Sequence, residues 1–204
     1  MASAVRRRLV AAVLLAPFLL GACSTPDAES RPAAGDPVGS ETVAEIKASE
    51  DYNDTDVMFL QMFVHHQRQG LQMTATAADR AQDPELQTLA RAVQATEQDE
   101  LTMIEGWLED WGKPTEVDTA PNLHADHGGL PGTGPAEIAA LTTVPDAEFD
   151  TTFLSLFLAH QHNAMELANL VKDGGKNADT KAFGERVRAS RQGEIQQMLK
   201  LMNK

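Results

Sequence analysis

Asp56-Val-Met-Phe-Leu-Gln-Met-Phe-Val-His-His66-Gln67 is answered 94 residues later by Asp150-Thr-Thr-Phe-Leu-Ser-Leu-Phe-Leu-Ala-His160-Gln161. Asp56, Phe59, Leu60, Phe63, His66 and Gln67 recur as Asp150, Phe153, Leu154, Phe157, His160 and Gln161. The same ungapped offset carries Asp79 onto Asp173, Val93 onto Val187, Ala95 onto Ala189, Gln98 onto Gln192 and Glu100 onto Glu194. A repeat of this length constrains the architecture before any single helix is assigned. Two copies of one unit, 54–112 and 146–204, are joined by a connection over 113–145.

Each unit reads as a helix hairpin. In the first, Phe59, Phe63, His66, Gly70, Met73 and Ala77 recur at three and four residues and share one face of a helix over about 54–79. Asp83-Pro84-Glu85 starts the next helix with a side-chain cap, a proline in the first turn and an acid against the dipole. Leu86, Leu89, Val93, Glu97, Glu100, Ile104, Trp107 and Trp111 line its inner face, and Gly112 and Pro114 end it. In the second unit the facing stripes are Phe153, Phe157, His160, Ala164 and Leu167, then, after the break at Gly174-Gly175, Phe183, Val187, Arg191, Glu194, Met198 and Leu201. A short helical piece is expected at 135–141 within the connection. Four long helices, paired by short turns and joined by one long crossover, predict an all-α, ferritin-like four-helix bundle with a pseudo-twofold between its halves.

The N-terminal segment, 1–22, has the form of a lipoprotein signal peptide. Arg6-Arg7-Arg8 precede an apolar stretch from Leu9 to Leu20 that is short for a membrane span. It closes on Leu20-Gly21-Ala22-Cys23, which resembles the bacterial lipobox, where cleavage leaves a lipidated cysteine at the new N-terminus. Cys23 is the sole cysteine, so the mature fold has neither an internal disulfide nor a thiolate ligand. Processing removes three arginines and no acid, which takes the formal charge from −13 to −16. So acidic a chain repels nucleic acid, and no nucleic-acid partner is expected. Residues 23–50, with Pro26, Pro32 and Pro37, read as a flexible tether with room for a short helix near 41–49. Residues 51–204 read as the domain. The expected location is the extracytoplasmic face of the cell membrane, reached through the lipid.

Polar residues interrupt the apolar stripes at one level. With the turn near Ala81, the antiparallel hairpin sets His66 level with roughly residue 96 of its partner helix. Glu97 and Glu100 are then neighbours of His66, and Arg191 and Glu194 are neighbours of His160. A buried carboxylate without a partner is costly. Two arrangements answer that cost. One is a structural layer in which His66 and His160 bond Glu100 and Glu194 while Glu97 pairs with Arg191. The other is a cation held by His66, His160, Glu100 and Glu194. A di-iron centre is excluded, because no glutamate has a histidine three residues later.

Methionines add soft donors. Met58, Met62 and Met73 share the first helix with His65 and His66, while His162 and Met165 share a face of the third long helix. Thioether and imidazole together favour copper, the reduced ion above all. Met62 and Met73 also align with Leu156 and Leu167, as plain core residues do. His65 aligns with Ala159 and reads as exposed. In the connection, His124-Ala-Asp-His127 offers two imidazoles and a carboxylate within reach of one ion.

The repeated Phe-Leu-x-x-Phe-x-x-His-Gln segment, His127-Gly-Gly-Leu-Pro-Gly132, Ala147-Glu-Phe-Asp150 and Gln192-Gly-Glu194-Ile-Gln-Gln-Met198 together resemble the ferritin-like family catalogued as domain of unknown function 305. The resemblance spans roughly 54–202. It implies an exported protein, often a lipoprotein, in a family of which some members resemble periplasmic copper-binding proteins. Members typically carry Phe-Leu-x-Met-Met-Ile-x-His-His-x-x-Ala-x-x-Met. Here His66 and His160 take the first histidine of that pattern, and Gln67 and Gln161 replace the second. Met62 and Met73 keep their places, Phe63 and Phe157 stand where methionine is usual, and Leu130 replaces the methionine of the Gly-Gly-Met-Pro-Gly connection. Each departure removes a soft ligand.

Two functions follow as expectations. The first is a membrane-anchored lipoprotein that binds copper for metal buffering or resistance, its ligands drawn from His66, His160, Met62, Met73, Glu100 and Glu194. The second is an interaction or scaffold lipoprotein whose buried His/Glu layer only sets helix register. No nucleophile–base pair, phosphate loop or hydrolase motif is readable, so no enzymatic activity is expected.

Overall fold

The computed structural model describes residues 47–117 and 132–204. Within them the chain forms α1 (Asp54–Arg80), α2 (Pro84–Asp110), a short α3 (Pro135–Ala140), α4 (Asp146–Gly174) and α5 (Ala178–Met202). No strand occurs among the described residues, and none of their helices is long and apolar enough to cross a membrane. α1 pairs with α2, α4 pairs with α5, and α1 lies against α4 at the centre. The four-helix bundle of two hairpins is therefore the observed fold. The signal peptide, Cys23 and most of the tether, together with His124, His127 and Leu130, lie outside the described residues.

The helix boundaries have local causes. Asn53 caps α1 by accepting from Asp56 N, while the Asp56 carboxylate accepts from Asn53 N in return. Asp83 caps α2 ahead of Pro84, and Asn177 caps α5 by accepting from Thr180 N. Gly112, at φ 63°, turns the chain out of α2 in the left-handed conformation that glycine adopts without strain.

The pseudo-twofold is visible in a pair of reciprocal caps. Asp56, on α1, accepts from Lys176 N at 2.9 Å and Asn177 N at 3.0 Å, in the turn of the other hairpin. Asp150, its equivalent on α4, accepts from Gln82 N at 2.9 Å and Asp83 N at 2.8 Å, in the turn of the first. Each hairpin thus holds the other's turn through the aspartate that opens the repeat.

Residues 47–50 depart from the tether reading. Ser49 O accepts from Trp111 Nε1 at 3.1 Å and Asn177 Nδ2 at 2.8 Å, and the Tyr52 ring stacks on Trp111 at 4.2 Å. The indole N–H needs an acceptor once its ring is buried, and this backbone supplies one. No helix forms over 47–49.

The core falls into two apolar halves. One gathers Phe59, Met62, Phe63, Ile104, Trp107, Leu167 and Phe183. The other gathers Met73, Leu86, Val93, Phe149, Phe153, Phe157 and Met198. Burying each large side chain contributes about 1.5–3 kcal/mol. Between the halves, on all four long helices, lies one layer of buried polar residues.

Candidate functional site

Helix periodicity builds this layer. His66, Gln67 and Gly70 come from α1, Glu97 and Glu100 from α2, His160 and Gln161 from α4, and Arg191 and Glu194 from α5. His66, Gln67, Glu97, His160, Gln161 and Arg191 are all fully buried. The two imidazoles stack on one another at 3.7 Å between centroids. Phe63 stacks on His66 at 5.7 Å and Phe157 on His160 at 5.5 Å, so a column of rings crosses the bundle through the twofold.

The carboxylates belong to Arg191. Its guanidinium donates to Glu100 Oε2 and to Glu194 Oε1 at 3.3 Å, and lies 3.8 Å from Glu97 Oε1. Two glutamines complete the layer. Gln67 donates to Glu100 Oε2 at 2.6 Å, and its equivalent Gln161 donates to Glu194 Oε2 at 2.8 Å. Gln161 also donates to Glu97 Oε1 at 3.2 Å, whereas Gln67 Oε1 accepts from Arg191 at 3.4 Å. An amide supplies both a donor and an acceptor, so the same residue type serves a glutamate on one side and an arginine on the other.

This corrects the expected pairing. Neither histidine bonds Glu100 or Glu194; the glutamines and Arg191 do, because an acidic oxygen beside a buried guanidinium gains most from it. Glu100 and Glu194 are thereby committed within the layer instead of facing an ion with His66 and His160. Among the described residues, no three His, Cys, Asp or Glu side chains assemble into a metal-holding group.

The histidines keep free atoms. His66 Nε2 lies 3.0 Å from the His160 carbonyl oxygen, which can only accept, so Nε2 carries the proton. His66 Nδ1 is then a bare lone pair, buried and without a hydrogen-bond partner. His160 Nδ1 pairs with Thr133 Oγ1 at 3.0 Å, leaving His160 Nε2 unpartnered. Glu97 Oε2 is unpartnered as well. A Cβ on Gly70 would press into Glu97 Oε2 and come within 3.0 Å of His160 Nε2, so both atoms face the surface that this glycine leaves bare.

Burial sets the charges. It holds His66 down to about 3 and His160 well below the ordinary histidine value, so both are neutral at physiological pH. Burial also pushes Glu97 up to about 8, against the opposing pull of Arg191. For Arg191 burial works toward the neutral form, but Glu100, Glu97 and Glu194 outweigh it and keep the guanidinium charged.

The remaining candidates are dispersed. Met62 and Met73 are fully buried on opposite sides of the layer, one in each apolar half. His162 is exposed, and Met165 is half-buried against the second half of the core. His65 is half-buried instead of exposed, because Gln69 Nε2 donates to it at 3.1 Å and α3 packs nearby. The sequence reading missed Gln69 and Thr133.

Comparison with known proteins bears on the fold. The sequence profile of the domain of unknown function DUF305 matches residues 56–202. A DUF305 fragment from Deinococcus radiodurans superimposes with a TM-score of 0.66 at 23% identity, covering 75% of this chain and 98% of that one. A DUF305 protein of Streptomyces coelicolor, described as secreted, gives 0.66 at 24% identity, covering 72% and 91%. CopM in its Cu(II)-bound form gives 0.60 at 22% identity, covering 72% and 95%, and its Cu(I)- and silver-bound forms also match. A comparison with curated proteins finds no match.

Proposed function

The chain belongs to the DUF305 family, and on that footing we propose that it is an exported, lipid-anchored protein that holds copper, as the reduced ion, at the imidazole pair of its bundle core. The observation that carries this reading is the buried, bare Nδ1 of His66. An unpartnered polar atom of this kind costs about 1–3 kcal/mol, which a bound ion would recover.

The donor set suits one class of ion. His66 and His160 are neutral imidazoles, and the thioether of Met62 lies one turn from His66 on α1. Soft, neutral donors in small number satisfy Cu(I), whereas a divalent ion asks for more and harder ligands. Arg191 already offsets one of the carboxylate charges, and its own positive charge beside the site disfavours a dication most. Met73, beyond the layer, belongs to a second ion or to the core alone. When bound, copper would be cargo, and the role is buffering or resistance with no catalytic residue assigned. CopM, which shares this fold, occurs in Cu(I)-, Cu(II)- and silver-bound forms, and this supports copper binding here. Cys23 and the lipobox support anchoring to the membrane from outside.

A scaffold role is the second reading. The observation in its favour is that Arg191, Glu100, Glu194, Gln67 and Gln161 satisfy one another with no ion. Copper content decides between them. Protein recovered from copper-supplemented cells should carry copper in stoichiometric amount, and His66→Ala should carry far less. Copper-free wild-type protein would contradict the proposal and leave the scaffold.

A further inference from the structure

A groove of about 740 Å³ lies between α1 and α3, lined among the described residues by His65, Gln69, Gln72, Thr76, Pro135 and Ile138. It is joined to the buried imidazoles through three side chains. His65 Nε2 accepts from Gln69 Nε2 at 3.1 Å, Gln69 Oε1 accepts from Thr133 N at 3.0 Å, and Thr133 Oγ1 pairs with His160 Nδ1 at 3.0 Å. The backbone N–H of Thr133 is an unambiguous donor, which fixes the Gln69 amide and leaves His65 Nε2 as a lone pair. Residues 132–133 form a strap over the α1–α4 seam. Gln69 holds it from α1, and Asn163 Nδ2 donates to Gly132 O at 3.4 Å from α4. A Cβ at Gly132 would sit 2.5 Å from Gln69 Oε1, so a side chain there displaces the Gln69 amide from the strap.

We propose that this groove is the port through which the buried pair takes up and releases its ion, with His65 as the outer ligand and the Gln69–Thr133 link as the latch. The inference rests on the copper reading above. An ion arriving at His65 takes the Nε2 lone pair that now accepts from Gln69. The freed amide loses one of the two contacts that hold it against the strap. Thr133 then lifts from His160, and the imidazole pair opens to the groove. Gly132 and Gln69 are positioning residues here, since neither needs to touch the ion at rest.

Hydrogen–deuterium exchange at histidine C2, read by mass spectrometry on the metal-free full-length protein, reports access directly. Exposed His162 serves as the internal reference. Gln69→Ala, and Gly132→Ala as a second way to displace the same latch, should each speed exchange at His160 roughly five- to tenfold, the effect of one lost hydrogen bond. Cu(I) transfer from a chelator, followed by stopped flow, should quicken in both variants and slow in His65→Ala, with equilibrium affinity kept within about twofold in Gln69→Ala. Unchanged His160 exchange, or copper transfer at wild-type rate in all three variants, overturns the port. Wild-type protein that takes up no Cu(I) overturns the copper reading and the port with it, which separates the two failures.

Discussion

Glu97 and Arg191 occupy equivalent places in the two halves of the bundle, and they meet across it with Oε1 and Nη2 3.8 Å apart. A strict twofold would set like charge against like at this level. The exchange of one glutamate for arginine turns the repeat's meeting point into a compensated layer. The same exchange explains why Gln67 and Gln161, which donate alike to Glu100 and Glu194, turn opposite ends of their amides to this pair.

Removing Arg191 should therefore be costly. Arg191→Met leaves Glu97, Glu100 and Glu194 buried or half-buried without their cation, and the expected loss is about 3–5 kcal/mol. Glu194→Ala strands Ser190 and takes from Gln161 one of its two acceptors, leaving Glu97, and should cost about 1–3 kcal/mol. Urea denaturation midpoints measure both. Equal midpoints for Arg191→Met and wild type would mean that the layer holds nothing together.

Stability should peak in pH, with the two flanks set by different residues. His66 has a folded pKa of about 3 against an ordinary 6.5, and His160 is also depressed, so protonation of the unfolded chain erodes stability as pH falls below about 6.5. Glu97 runs the other way. Its folded pKa is about 8 against an ordinary 4.5, so its contribution is complete below 4.5 and is lost as pH rises toward 8. Between 4.5 and 6.5 the two histidines outweigh the one glutamate, and above 6.5 Glu97 acts alone. The maximum therefore falls near 6.5. In Glu97→Gln the decline above 6.5 should vanish while the acid flank stays, as denaturation across pH 4 to 9 would show.

The reciprocal caps predict an asymmetric pair of effects. Asp56→Ala removes the acceptor of Asn53 N, Lys176 N and Asn177 N at a fully buried position. Asp150→Ala removes the acceptor of Gln82 N and Asp83 N at a half-buried one. Losses of about 2–3 and about 1 kcal/mol are expected, since buried donors left unpaired cost more than wet ones. Thermal unfolding of the two variants should rank them in that order; a reversed order would contradict the burial argument.

How much of this was legible before the structure differs by level. The repeat and the helix stripes gave the hairpins, because three- and four-residue spacing of Phe59, Phe63, His66 and their equivalents leaves one face to bury. The same register placed Glu97, Arg191 and both histidines at one level. Partner choice within that level was not legible. Whether Glu100 meets His66 or Gln67 depends on a rotation of tens of degrees about the helix, and helical spacing does not resolve neighbours so close. The strap was hidden for another reason. Thr133 reaches His160 through tertiary contact from a connection with no periodicity, where no pattern announces it.

The proposed lipid anchor depends on one side chain, Cys23. Cys23→Ser should release the protein into the soluble extracytoplasmic fraction with its helical content kept. Cell fractionation followed by circular dichroism checks both halves. Retention of the serine variant at the membrane through its N-terminus would refute lipidation at Cys23.

The central claim is that His66 and His160 hold a soft monovalent ion, and competition for Cu(I) against a chelator tests it most directly. Tag-free domain, wild type and His66→Ala/His160→Ala, is titrated under reducing conditions beside a Cu(II) series. Wild type should take Cu(I) in stoichiometric amount and hold it far more tightly than Cu(II), and the double variant should lose that uptake while keeping its helical content. Equal Cu(I) uptake by both proteins, or an affinity no greater than an acidic surface gives, would contradict the claim.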